Sequence, residues 1–283
     1  MDLMQRFAGE VKLMMQRSTT MHEDLEITPD NVFQEANTVN RETMNALVGT
    51  LMLPGSRIEG GAHLKELAAL SAAGKRCLIF SAHLSNMDVP SLCWLMTQAG
   101  PEYEAIFNRI MFMAGRKLNE ESPEVKMFSE IYTRIVITPK TSTDNLPEGE
   151  EKERLLREAQ AINLAAHRVL REKSAEGRIL LVYPTGTRYR PWSPETGRGL
   201  REAEGYLRVF DHFCVGATLG NLMPPMQDTR MHIEYPREDR VVMRFSPVIA
   251  TRDFRERCRQ EADALAAAGK PVDDFKQFTI DRV

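Results

Sequence analysis

Cys77-Leu78-Ile79-Phe80-Ser81-Ala82-His83-Leu84-Ser85-Asn86-Met87-Asp88-Val89-Pro90 reads as a buried strand, a turn and the opening of a helix. Four apolar residues lead, polar residues follow, and the proline suits a first helical turn. A histidine is thereby delivered from a strand end into a turn, and an aspartate five positions later stands at the mouth of the next element. On a continuous helix, residues five apart face largely different ways, because same-face neighbours are three or four apart. A loop can fold back and bring imidazole and carboxylate together. That pairing suits a general base: a ring that takes a proton, and a carboxylate that fixes its tautomer and stabilises the imidazolium. The plain alternative is a capping aspartate beside an unrelated surface histidine.

Outward from this stretch, short apolar runs alternate with helical patterns, which predicts an α/β fold with a mostly parallel mixed sheet flanked by helices. Candidate strands are 77–81, 103–107, 134–138, 178–183, 214–218, 231–235 and 241–246. The run Arg178-Ile179-Leu180-Leu181-Val182-Tyr183 is continuous rather than alternating, as expected of a strand covered on both faces. A long charged helix is expected over about 148–172, and another over 253–268, near Arg252, Arg255 and Arg259. These arginines could dock CoA phosphates, an acidic carrier protein or lipid headgroups, though a solvated face is the simpler reading.

Upstream, residues 1–17 place Leu3, Met4, Phe7, Ala8, Val11, Met14 and Met15 at helical spacing among Arg6, Lys12 and Arg17. Such a helix either packs its stripe on the protein or lies on an anionic membrane surface. Thr28-Pro29-Asp30 carries helix-start signals and predicts a helix to about Leu53, ahead of Pro54-Gly55. A third helix is expected from Ala62 to Ala73, closed by Gly74. The expected organisation is a small N-terminal helical domain, bundle or cap, at 1–74 and an α/β domain at 75–283.

The chain has 283 residues and a formal net charge of −3, so there is no basic field of the kind nucleic-acid binding calls for. Cys77, Cys93, Cys214 and Cys258 form no C-x-x-C pair and read as free thiols rather than a zinc site. No apolar run approaches the ~18 residues of a membrane span. The expectation is a cytoplasmic protein, with peripheral membrane contact as the alternative use of the N-terminal helix, and with no metal.

After the run at 178–183 comes Pro184-Thr185-Gly186-Thr187-Arg188-Tyr189-Arg190-Pro191. In open α/β sheets ligands collect beyond the carboxyl ends of strands, so this turn and the His83 turn should open on one side. Gly186 lets backbone approach a ligand closely, and Arg188 and Arg190 are permanently charged donors suited to a phosphate.

His83-Leu84-Ser85-Asn86-Met87-Asp88 together with Tyr183-Pro184-Thr185-Gly186-Thr187-Arg188 resembles the paired motifs of the glycerolipid acyltransferases, across roughly residues 75–225. Phe112 to Leu118 through Ile135-Val136-Ile137 is placed where the second motif falls, and Val215-Gly216-Ala217 to Met223-Pro224-Pro225 looks like the fourth, which lines the acyl pocket. The soluble plastid-type glycerol-3-phosphate acyltransferases look most similar. They share the small N-terminal helical domain and a basic run at Gly186 to Pro191. Lys140 matches the lysine of their phosphate pocket, Thr141 stands where a histidine would be, and Thr185 stands where many members carry glutamate.

The resemblance implies transfer of an acyl group from acyl-CoA or acyl carrier protein to the sn-1 hydroxyl of glycerol 3-phosphate, with no cofactor. His83 and Asp88 would be catalytic; Lys140, Thr185, Gly186, Arg188 and Arg190 would bind substrate. The alternatives are lysophosphatidate as acceptor, and a non-catalytic phosphate- or phospholipid-binding protein. Ser81 and Ser85 flank the base but lie in no G-x-S-x-G elbow, which weakens a serine-hydrolase reading.

Overall fold

The computed structural model describes residues 2–19, 26–116, 118, 123–139, 149–227 and 234–283. Its centre is a mixed sheet whose strands are β1 (Phe33–Gln34), β2 (Arg57–Glu59), β3 (Cys77–Ser81), β4 (Ile110–Gly115), β5 (Arg134–Ile137), β6 (Ile179–Val182), β7 (His212–Leu219), β8 (Val242–Phe245) and β9 (Ile249–Ala250). Their order is β1-β5-β4-β6-β3-β7-β8-β2, with β9 paired to β7. The five from β5 to β7 are mutually parallel, while β1, β8 and β9 each run antiparallel to a neighbour.

Why the central strands read as continuous apolar runs is visible in where alternate residues go. Cys77 and Ile79 of β3, with Ile179 and Leu181 of β6, enter a core on one face of the sheet. Leu78 and Phe80, with Leu180 and Val182, enter a second core on the other. With helices on both faces, neither face can be polar. The first core takes residues from the helices Ala8–Arg17, Arg41–Leu51, Gly61–Ala72 and Asp88–Ala99. The second takes them from Glu150–Ala175 and Thr251–Ala267.

The 1–74 stretch, expected as a helical bundle or cap, carries strands as well as helices. It supplies both edges of the sheet: β1 lies against β5, and β2 runs parallel to β8. The helix expected at 1–17 is two, Leu3–Arg6 and Ala8–Arg17, broken at Phe7, and the segment turns Phe7, Val11 and Met14 into the first core. Burying side chains of that size is worth about 1.5–3 kcal/mol each.

Two predicted elements are corrected. Thr28-Pro29-Asp30 closes a turn rather than opening a helix. The Asn31 side chain accepts from the Thr28 N–H at 2.8 Å and donates to the Glu26 carbonyl at 2.8 Å. Ile27 and Val32 are thereby buried in the second core, and the helix begins only at Arg41. The expected strand at 103–107 is the end of a helix, Pro101–Phe107, because Gly100 and Pro101 form a helix start with Glu102 and Glu104 in its first turn. The strand follows at Ile110. Of the expected strand at 231–235, residues 231–233 lie outside the described residues, and Glu234 and Tyr235 belong to no strand.

Among the described residues, no helix is long and apolar enough to cross a membrane.

Candidate active site

β3 ends against β7, and the last ladder bond beyond it runs from the Ala82 N–H to the Gly216 carbonyl at 3.0 Å. The chain then leaves the sheet at His83 and re-enters regular structure at Asp88, first residue of the helix Asp88–Ala99. One oxygen of Asp88 gathers the whole turn. Its Oδ2 accepts from the Leu84 N–H at 2.8 Å and the Ser85 N–H at 3.0 Å, and it lies 2.8 Å from His83 Nδ1. A carboxylate already taking two backbone donors leaves Nδ1 to donate, so the lone pair of the ring sits on Nε2. Ser85, buried, braces the same turn by accepting from the Met87 N–H at 2.9 Å. Asp88 is buried as well, at the positive end of its helix.

The partner turn follows β6, the neighbour of β3 in register Phe80↔Val182. Both turns therefore leave the same end of the sheet, as the sequence predicts. Tyr183 stacks on His83 with ring centroids 4.0 Å apart and an interplanar angle of 12°. Burial, with the nearby Asp88 charge adding, pushes the Tyr183 phenol well above its usual range, so the ring is an uncharged platform. The Tyr189 N–H donates to the His83 carbonyl at 2.8 Å, which ties the turns together directly.

Gly186 adopts φ +64, and a Cβ there would stand 2.7 Å from Leu200 Cδ1. Its N–H donates to the Tyr183 carbonyl at 3.0 Å, while the Thr185 hydroxyl donates to the Thr187 carbonyl at 2.6 Å. Thr185 thus shapes the turn internally. Arg188 is brought toward the histidine turn, where its Nη1 pairs with Glu234 Oε1. The Glu234 carboxylate is buried and its other oxygen accepts from Asn86 Nδ2 at 3.2 Å. Arg190 uses its backbone, donating to Thr196 Oγ1 at 2.8 Å and accepting from the Ser193 N–H at 2.9 Å. Its guanidinium has no carboxylate partner among the described residues. Lys140 lies outside the described residues.

Two supports escaped sequence reasoning. Asn221 Nδ2 donates to the Leu84 carbonyl at 3.0 Å from 137 positions away, and Glu234 reaches Asn86 across 148. No local spacing could signal either.

A narrow cavity with about 10 Å³ of free space lies behind Asp88, lined by Leu92, Leu181, Tyr183, Gly216, Met243 and Phe245 among others. Gly216 and Ala217, from the stretch resembling the fourth motif, are on its wall. An alkyl chain entering here would have to displace a mobile side chain, for which the thioether of Met243 is best suited. A larger cleft of about 800 Å³, bordered by Arg41, Trp94, Asn108, Thr133 and Arg178, is remote from this chemistry. Asn108, Thr133 and Arg178 precede their strands, whereas His83 and Tyr183 follow theirs. Among the described residues, no cluster of three or more His, Cys, Asp or Glu side chains could hold a metal ion.

No family model and no curated protein matches the sequence. Among solved structures the chain is similar to the 1-acyl-sn-glycerophosphate (LPA) acyltransferase PlsC from Thermotoga maritima, at a TM-score of 0.43 and 13% identity, over 93% of this chain and 86% of that one.

Proposed function

We propose that this protein transfers an acyl group from a thioester, acyl-CoA or acyl carrier protein, to the sn-1 hydroxyl of glycerol 3-phosphate. The observation that carries the reading is the His83 Nδ1–Asp88 Oδ2 contact of 2.8 Å, in a turn facing the Arg188 turn. His83 Nε2 takes the proton of the glycerol hydroxyl as that oxygen attacks the thioester carbonyl carbon. Asp88 holds the ring and stabilises the imidazolium. As the tetrahedral intermediate collapses, the C–S bond breaks and the departing sulfur takes the proton back from Nε2. No cofactor enters this sequence, and no covalent acyl-enzyme is formed.

Arg188 and Arg190, with Lys140, hold the acceptor's phosphate and so place its hydroxyl near His83, turning binding energy into orientation. The cavity behind Asp88 supports an acyl route between β3, β7 and β8. The face of the N-terminal helix that carries Val11 and Met14 is turned into the first core, which supports the water-soluble acceptor over lysophosphatidate.

The test is thiol release from palmitoyl-CoA, and separately from palmitoyl carrier protein, with and without glycerol 3-phosphate. We expect release to require the acceptor and to fall at least 10²-fold in His83→Ala, a general-base contribution of ordinary size. Acceptor-independent release would make the protein a thioesterase. Activity confined to lysophosphatidate in vesicles would change the acceptor. A variant that turns over like the wild type would remove His83 from the chemistry.

A further inference from the structure

Among the described residues, Glu234 is the one carboxylate that touches both turns of the site. Its Oε1 pairs with Arg188 Nη1 and its Oε2 accepts from Asn86 Nδ2 at 3.2 Å. Both sides of the ion pair are shielded, with 19% of the Arg188 side chain exposed and 7% of that of Glu234. Nothing in the reaction as described uses Glu234. Its charge is also of the wrong sign for a pocket that takes a phosphate, since it offsets the arginine most directly committed to that anion.

The arginine turn, Pro184 to Pro191, holds no carboxylate of its own, and the Thr185 hydroxyl is turned onto the Thr187 carbonyl. A carboxylate beside the arginine turn is thus supplied from elsewhere in the chain. A half-buried guanidinium is costly to leave unpaired, and Glu234 supplies its partner. A carboxylate that also hydrogen-bonds Asn86 adds what a counter-ion alone would not: it fixes Arg188 relative to the His83 turn.

On the proposed reaction, we infer that Glu234 is a positioning residue with two separable effects. Through its two oxygens it locks Arg188 to the Asn86 turn, so that a phosphate held by Arg188 lies in register with His83. Through its charge it competes with that phosphate, weakening the acceptor's binding. Arg188 has five donors in a planar fork and commits Nη1 to Glu234, which leaves Nε and Nη2 for an anion. The acceptor therefore binds beside a like charge, and affinity is sacrificed for orientation.

Glu234→Gln separates the effects. It keeps an oxygen for Arg188, and an amide flip of Asn86 restores the second hydrogen bond, while the charge is lost. We expect glycerol 3-phosphate, titrated calorimetrically into the full chain, to bind Glu234→Gln about fivefold or more tightly than the wild type. Glu234→Ala also loses the brace, and its kcat for acyl transfer should drop about tenfold or more. If Glu234→Gln fails to fold, Glu234→Asp carries the test: charge kept but reach shortened, it should lose kcat with no gain in phosphate affinity.

A purely structural glutamate would lower thermal stability in these variants without tightening the anion. Phosphate binding to Glu234→Gln that is no tighter than to the wild type overturns the inference. Should the wild type consume no acyl thioester while Glu234→Gln still tightens glycerol 3-phosphate, the acyl-transfer reading falls and the charge competition stands. If neither protein binds glycerol 3-phosphate or inorganic phosphate, both readings fall.

Discussion

Asp88 Oδ2 holds two backbone N–H groups and one imidazole, so a single atom both shapes the turn and orients the ring. Asp88→Asn keeps the acceptor and removes the charge. With its oxygen in the Oδ2 position the amide still accepts from Leu84, Ser85 and His83 Nδ1, but no carboxylate remains to stabilise the imidazolium. We expect kcat to fall roughly 10²–10⁴-fold while the thermal midpoint moves by only a few degrees, the mark of about 1 kcal/mol. Steady-state thiol release and a melting curve on the same preparation check both halves. Unchanged kcat would show that the contact is a cap and nothing more. At this scale the pair was legible because H-x4-D after an apolar run is local. Whether ring and carboxylate meet was not legible, since a capping aspartate and a surface histidine have the same spelling.

Elements are held together here by close backbone approaches, and two glycines show how differently these cost. Gly60 stands at the entry to the Gly61–Ala72 helix with φ +72, and a Cβ there would lie 2.2 Å from the Phe245 carbonyl oxygen of β8. Gly186 has φ +64, but its nearest neighbour is the end of the Leu200 side chain at 2.7 Å, and Leu200 is exposed and free to turn away. Gly186→Ala should therefore cost little beyond the left-handed penalty of about 1–2 kcal/mol. Gly60→Ala should cost more, about 3 kcal/mol or above, because backbone must move and β8 with it. Denaturant midpoints at constant slope test the ranking, and an inverted order would contradict it. Gly60-Gly61 was readable as a break. That its tightness faces β8, nearly two hundred positions on, was not, and neither was the fate of Thr28-Pro29-Asp30, whose capping groups close a turn because Ile27 and Val32 are drawn into the core.

For the whole molecule, two cores on opposite faces of the sheet bury all four cysteines. Burial pushes the thiols of Cys77 and Cys214 up to about 12 and that of Cys93 up to about 11; Cys258 is raised as well. A thiol with so raised a pKa offers almost no thiolate near neutrality. We expect the native protein to leave a thiol reagent such as Ellman's unreacted at pH 8, and to react fully, four thiols per chain, once guanidinium unfolds it. The slow native rate then reports opening of the cores. Rapid native labelling of any thiol would contradict the packing. The first of these cores also takes Val11 and Met14 from the Ala8–Arg17 helix.

What the sequence determined by itself is what short-range physics encodes. Continuous apolar runs announced strands covered on both faces, Gly60-Gly61, Gly74 and Pro90 marked helix boundaries, and two strand-end turns with complementary chemistry announced a candidate site at one end of the sheet. The tertiary structure alone decided which side chains meet. It took both edge strands from the first 74 residues, brought Glu234 to Arg188 and Asn86, and set Asn221 under the histidine turn. Those contacts span far more chain than any periodicity or capping rule. They depend on buried charges and amides finding partners once the sheet has formed, and that demand is written into no local stretch.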